Sequence, residues 1–199
     1  MDVEDGRALY VRRLDRWEST RLVYGVGDDG PLDPFFSPDG EWLGFATSKE
    51  LKTVPVTGGT PITLCRVNYA GGASGGLSRV SAGGGELEPL TTLHLEAGET
   101  SHRWPQVLPG GKAVLFTSHT IYGRGFYDAT IELLVLATGE RRVLHRGGTY
   151  PRYAESGHVI FARDGQLLAM PFSLERLEAT GSAAPVVEGV RSSALGGRA

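Results

Sequence analysis

Cysteine is almost missing from this chain: the single Cys65 cannot close an internal disulfide, so thiol pairing says nothing about compartment. Its expected role is that of a small buried hydrophobe on a strand. No run of about 18 apolar residues occurs, which excludes a spanning helix within the sequence. The first residues, MDVEDGRALYVRR, start acidic and lack an apolar core, so no export signal is expected in them. Positive charge is not in excess either. Lys and Arg total 20 against 23 Asp and Glu, a formal net charge of −3, and the Arg residues are scattered rather than striped, so nucleic acid is not an expected partner. Helical periodicity is absent as well. The best helical stretch, SLERLEA at 173–179, has an N-capping Ser173 with Leu174 and Leu177 three apart but spans under two turns, and it is read as a loop with at most one helical turn.

What the chain does contain is turns. Its 29 Gly and 11 Pro make up about a fifth of the 199 residues, above the ordinary share of roughly an eighth, and so many turns imply many short elements. Short apolar or alternating runs bounded by Gly, Pro, Asp or Ser predict strands at 8–14, 21–24, 42–47, 51–56, 62–67, 77–81, 112–118, 131–136, 142–145, 158–163 and 167–172. Further strands are expected at 34–37, 101–107 and 149–153. With 40% hydrophobic residues the chain can bury a continuous core.

One phrase recurs: a Pro-Asp-Gly or Pro-Gly-Gly turn, an apolar strand, a second strand, a Gly-rich turn and a strand ending in Leu. Its clearest copy is FFSPDGEWLGFATSKELKTVPVTGGTPITL (35–64), echoed by WPQVLPGGKAVLFTS (104–118) and YAESGHVIFARDGQLLAMPF (153–172). The third strands of the units begin near Leu9, Leu51, Leu77, Ile131 and Leu167, at intervals of 42, 26, 54 and 36 residues. A four-stranded propeller blade takes about 40 to 45 residues, so the average fits and two intervals do not. The long interval holds an insertion, IYGRGFYDA (121–129), read as a surface loop; the short one holds NYAGGASGG (68–76), a Gly-rich link where a turn and two strands are expected. The predicted fold is therefore all-β, a partial β-propeller of about four to five blades with one blade truncated and the ring open. Blade pieces fall at about 8–30, 31–67, 68–93, 94–147 and 148–190, with a flexible tail at 191–199.

SPDGEWLGF, VPVTGGTPITL, HRWPQVLPGGKAVLFT and GGTYPRYAESGHVIFAR resemble the TolB-type six-bladed β-propeller with WD-like repeats. More narrowly they resemble the propeller that follows the kinase domain in some bacterial serine/threonine protein kinases. The resemblance covers roughly residues 8–190. It implies an extracytoplasmic sensing or protein-interaction domain. The kinase signatures themselves are absent: there is no Gly-rich loop with a following strand Lys, no His-Arg-Asp and no Asp-Phe-Gly. Two other settings use such propellers, as the accessory domain of a prolyl-oligopeptidase or tricorn-like serine peptidase and as a TolB-like periplasmic scaffold.

Several motifs look catalytic in isolation. Gly25, Gly27 and Gly30 match G-x-G-x-x-G, but Pro31 and Pro34 follow where a dinucleotide site needs a helix. Gly72-Ala73-Ser74-Gly75-Gly76 matches G-x-S-x-G, yet a nucleophile elbow runs from strand to helix, and here a Gly-rich link leads to a strand. Asp28, Asp29 and Asp33 lack EF-hand spacing and read as a solvated acidic turn. The five His residues form no i, i+4 pair and have no Cys at zinc spacing. The sequence thus predicts no catalytic residue, no metal and no cofactor.

A ligand, if there is one, is expected on the central channel lined by the innermost strands. These offer His102, Arg103 and Trp104 from HRW, and Tyr150, Arg152 and Tyr153 from YPRY. An aromatic beside a cation at corresponding positions suits a small acidic or aromatic ligand, or a protein partner presenting such groups. The competing reading gives Trp104 and Tyr150 to blade packing and the Arg residues to anchoring. An open ring would also expose strand edges, which invite self-association.

Overall fold

The computed structural model describes residues 6–37, 39–67, 75–120, 126 and 128–190; the Ser74 motif, most of the 121–129 insertion, the link up to Gly75, the tail 191–199 and the Asp28 side chain lie outside them. The chain is all-β. It forms two compact units, one holding the described residues up to Val67 with Arg79–Glu88, the other holding 75–78 and the residues from Pro89 onward.

In the first unit, β1 (Gly6–Val11) and β2 (Thr20–Val26) pair as an antiparallel hairpin. The expected strand 8–14 stops early, because beyond Val11 no residue of β2 remains to pair with it, and Leu14 is 98% exposed. A four-stranded antiparallel sheet follows in the order β3 (Leu32–Phe36), β4 (Trp42–Ala46), β5 (Glu50–Pro55) and β6 (Ile62–Arg66). The turn between β3 and β4 is closed by the Gly40 N–H donating to the Ser37 carbonyl (2.9 Å), with Gly40 at φ +72, the value the Pro-Asp-Gly phrase demands. Leu22, Leu43, Phe45 and Val54 form the core between hairpin and sheet, flanked by Leu9, Val11, Val23 and Val56. Cys65 is buried on β6, and burial pushes its thiol pKa up.

Next along the chain, β7 (Ser78–Arg79) and β8 (Glu88–Pro89) make a short two-stranded sheet, so the strand expected at 77–81 is trimmed at both ends. The second unit holds two full sheets. One runs in the order β12 (Arg141–Arg146), β11 (Thr130–Val135), β10 (Ala113–Thr120), β9 (Glu99–Val107). The other comprises β13 (Thr149–Ala154), β14 (His158–Arg163), β15 (Gln166–Ser173), β16 (Glu178–Ala179) and β17 (Ala184–Val187), the last two both pairing with β15. The SLERLEA stretch continues β15 into a turn and then β16, without a helix.

Every residue from Ala113 to Ser118 is buried, because β10 is covered on both faces. Val114, Phe116 and Leu134 pack with Leu77 and Leu90 on one side. Ala113, Leu115, Ile131 and Leu133 pack against Val159, Phe161, Leu168, Met170 and Phe172 of the following sheet on the other. Neither sheet could bury these side chains alone, which is the logic of a repeat architecture.

Candidate functional site

The first strands of three sheets share a local device. Asp33, Trp104 and Tyr150 each precede a proline and each has positive φ, +45, +52 and +57. At each, two residues of the first strand face one of the second: Asp33-Pro34 against Phe45, Trp104-Pro105 against Phe116, Tyr150-Pro151 against Phe161. This is a β-bulge, and it re-aims the side chain that carries it. Bulky L-residues rarely adopt positive φ, and each instance costs on the order of 1–3 kcal/mol. The opposing phenylalanines are at most 1% exposed and hold the bulge from beneath.

In the second unit the device brings Trp104 of β9 and Tyr150 of β13 together, ring centroids 5.8 Å apart, both half-buried. Phe126 stacks on Trp104 at 5.2 Å and on His119 at 4.3 Å. Two guanidinium groups complete the cluster. Arg152 lies 4.1 Å over the Tyr150 ring and donates through Nη1 to the carbonyls of Trp104 (3.1 Å) and Pro151 (2.8 Å). Arg103 lies 5.2 Å over Phe126 and donates to Ser101 Oγ (2.9 Å). Two further bonds tie the strands: the Tyr150 N–H to Thr117 Oγ1 (3.2 Å) and the Tyr153 N–H to Gln106 Oε1 (2.6 Å).

The structure thus gathers four of the six expected residues, Arg103, Trp104, Tyr150 and Arg152. Tyr153 turns instead to Phe172, ring to ring at 6.1 Å. His102 departs from expectation: its side chain is fully buried and lines no surface. Strand alternation sends it to the face opposite Arg103, where it joins a polar network. The Leu77 N–H donates to Thr91 Oγ1 (2.7 Å); the ionised Glu99 Oε2 can only accept, so His102 Nε2–H donates to it (3.2 Å), and the neutral ring's Nδ1 then accepts from the Thr91 hydroxyl (2.7 Å). Glu99 also accepts from Ser118 Oγ, the His94 N–H and both terminal nitrogens of Arg141, and Arg141 in turn grips Glu132 at 2.8 Å. Burial alone would push the Glu99 carboxyl up, but the Arg141 hydrogen bond, the His94 N–H and the Arg141 charge outweigh it and hold it at about 2. Burial and the Arg141 charge keep the His102 pKa below its usual value.

Phe126 and His119 were not singled out by the sequence, although the aromatic richness of the insertion was a signal for the former. The Glu99–Arg141–Glu132 network carried no signal, since charges 33 and 42 residues apart reveal nothing until the strands are paired. The cluster around Trp104 holds cations and ring faces. Among the described residues it also holds a hydroxyl–imidazole pair, Thr100 and His119. The Thr100 hydroxyl lies 3.1 Å from the His119 carbonyl, to which it can donate, and 3.0 Å from His119 Nδ1. Among the described residues no group of three or more His, Cys, Asp or Glu is placed to hold a metal ion.

No protein-family model matches the chain, and no curated protein matches it. Solved structures do. TolB from Acinetobacter baumannii superposes with a TM-score of 0.64 at 16% identity, over 92% of this chain and 49% of that one. A TolB-like chain from Agrobacterium tumefaciens gives 0.64 at 13% identity, over 86% of this chain and 66% of that one. An oligogalacturonate lyase in complex with manganese gives 0.50 at 13% identity, over 90% and 70%. The fold is that of a TolB-type β-propeller, here a partial one, and the chain spans about half to two-thirds of the length of the two TolB neighbours.

Proposed function

We propose that this chain is a non-catalytic interaction or sensor module on a TolB-like propeller scaffold, and that it takes a ligand group that is acidic, aromatic or both at Trp104, Tyr150, Arg103 and Arg152. The observation that carries the reading is the pair of aromatic residues held at positive φ, 5.8 Å apart, beneath two guanidinium groups. The bulge itself recurs at Asp33 in the first unit, so what sets this place apart is that its two bulge residues are aromatic and each has a guanidinium beside it. A ligand ring would pack against the outer edge of the aromatic pair, and a carboxylate would meet Arg152, which among the described residues forms hydrogen bonds to carbonyls but no ion pair. Folds of this kind host enzymes as well, and function resides in the site rather than in the fold.

A finer version places the module outside the membrane in a bacterial receptor-type serine/threonine kinase. Its support is the wording of SPDGEWLGF, HRWPQVLPGGKAVLFT and GGTYPRYAESGHVIFAR. The test of the core reading is titration calorimetry with benzoate and with a capped Asp-Phe dipeptide. Saturable binding that weakens about tenfold or more in Trp104→Ala and in Arg152→Gln supports it. Equal affinity in wild type and both variants, or no binding of either probe, overturns it.

A further inference from the structure

Trp104 has a ring on each side. Tyr150, the corresponding bulge residue of the next sheet, lies 5.8 Å away, and Phe126, from the stretch that joins β10 to β11, lies 5.2 Å away. The second and third strands are joined by residues 47–49 in the sheet β3–β6 and by 164 and 165 in the sheet β13–β17, but by 121–129 here. The repeat supplies Trp104, and the insertion supplies the ring set against it.

Phe126 is half-buried and belongs to neither of the apolar cores that β10 and β11 build on their two faces. Its described ring partners are Trp104 at 5.2 Å and His119 at 4.3 Å, and the Arg103 guanidinium lies 5.2 Å over its own face. Two ring contacts and a cation on one phenyl group are the contacts that the ring of a free aromatic acid would make in this cluster.

We infer that Phe126 occupies, from within the chain, the seat that the ring of an aromatic acid takes on the Arg103 side of Trp104, so that this side chain and the ligand ring compete for it. The inference rests on the reading of the cluster as a site for acidic and aromatic groups. Benzoate carries the same phenyl ring as the side chain, so it fits the seat without enlarging it. It would stack on Trp104 and His119 as Phe126 does, and its carboxylate, which the side chain lacks, adds a charge for Arg103 to pair. A tethered ring is present at the seat at a high effective concentration, and a free ring has to displace it. Removing the tethered ring therefore raises the affinity for a free one, whereas removing a wall of the site would lower it.

Titration calorimetry with benzoate on wild type, Phe126→Ala and Phe126→Leu tests this, with benzyl alcohol as the uncharged ring, and near-UV circular dichroism checks that each variant folds. Phe126→Ala should bind benzoate about tenfold more tightly than wild type does, because a space emptied of a ring takes a ring. It should also prefer benzoate to benzyl alcohol, and adding Arg103→Gln should erase that preference. Phe126→Leu keeps the bulk but loses the ring contacts, so it should compete less well and show a gain of about threefold; if Phe126→Ala does not fold, this variant decides. Benzoate binding no tighter in either variant than in wild type, or equal binding of benzoate and benzyl alcohol by Phe126→Ala, would overturn the inference. The two readings fail separately. If benzoate binds wild type through Trp104 and Arg152 and the Phe126 variants do no better, the ligand site stands and the self-occupied seat falls. If benzoate binds the Phe126 variants alone, the seat stands and the open site of the wild type falls.

Discussion

Arg141 Nη2 sits 2.6 Å from Glu99 Oε1 and 2.8 Å from Glu132 Oε2, so a single guanidinium on β12 bridges carboxylates from β9 and β11 inside one sheet. Both carboxylates are less than a tenth exposed, and the same guanidinium lies 5.6 Å over Phe116. Removing it leaves two buried negative charges facing each other. Arg141→Met should therefore cost about 3–5 kcal/mol of unfolding free energy in urea titration. A loss below about 1 kcal/mol would mean that the network is solvated.

The same network sets an acid limit on stability. The Glu99 carboxyl is held at about 2, below the ordinary 4.5, so its contribution is full above the ordinary value and is lost as pH falls from there toward 2. His102 and His145 also have lowered pKa values, each chiefly through burial, with Arg141 opposing charge on the first and Arg163 on the second. A histidine kept neutral when folded takes its proton in the unfolded chain, so stability also falls as pH drops below about 6.5. His145 stacks 4.7 Å from Phe161, and its Nε2 is buried with no hydrogen-bond partner among the described residues. His145→Phe should flatten the stability profile between about pH 7 and 5 and leave the steeper loss below about 4.5 in place. Thermal unfolding across that range reads both parts, and an unchanged slope between pH 7 and 5 would contradict the assignment.

The fold was legible because turn chemistry and apolar period are local. Ser37-Pro38-Asp39-Gly40 announces its turn, and AVLF at 113–116 announces a strand covered on both faces. The cluster was half legible. Corresponding HRW and YPRY segments pointed to Trp104 and Tyr150, but the bulge that brings their rings together depends on pairing with β10 and β14, and the burial of His102 depends on which face Arg103 takes. The short strands β16 and β17 were missed, since GluAla and AlaProValVal carry too little pattern and are fixed only by β15 beside them.

Gly148 marks a close approach that no other residue fits. Its φ is +121, and a Cβ placed there would lie 2.6 Å from Phe161 Cδ2, on the fully buried ring opposite the Tyr150 bulge. Gly148→Ala should cost roughly 2 kcal/mol or more, through backbone strain and displacement of Phe161 together. Equal unfolding midpoints for the variant and wild type in urea would show that the bulge does not depend on this packing.

Arg152 separates charge from shape at the candidate site. Its planar guanidinium lies 4.1 Å over Tyr150 while Nη1 donates to the carbonyls of Trp104 and Pro151, and a lysine ammonium has no plane to lie along the ring while it reaches those carbonyls. Arg152→Lys should keep the positive charge yet lose about 1–2 kcal/mol of stability, because the Trp104 carbonyl beside the strained bulge loses its donor. If the site merely attracts anions, the lysine variant should bind benzoate as wild type does. If a planar cation stacked on Tyr150 positions the carboxylate, the affinity should fall about tenfold despite the unchanged charge. Calorimetry on Arg152→Lys beside Arg152→Gln decides between these, since equal loss in both assigns the binding to guanidinium geometry, and loss confined to the glutamine variant assigns it to charge alone.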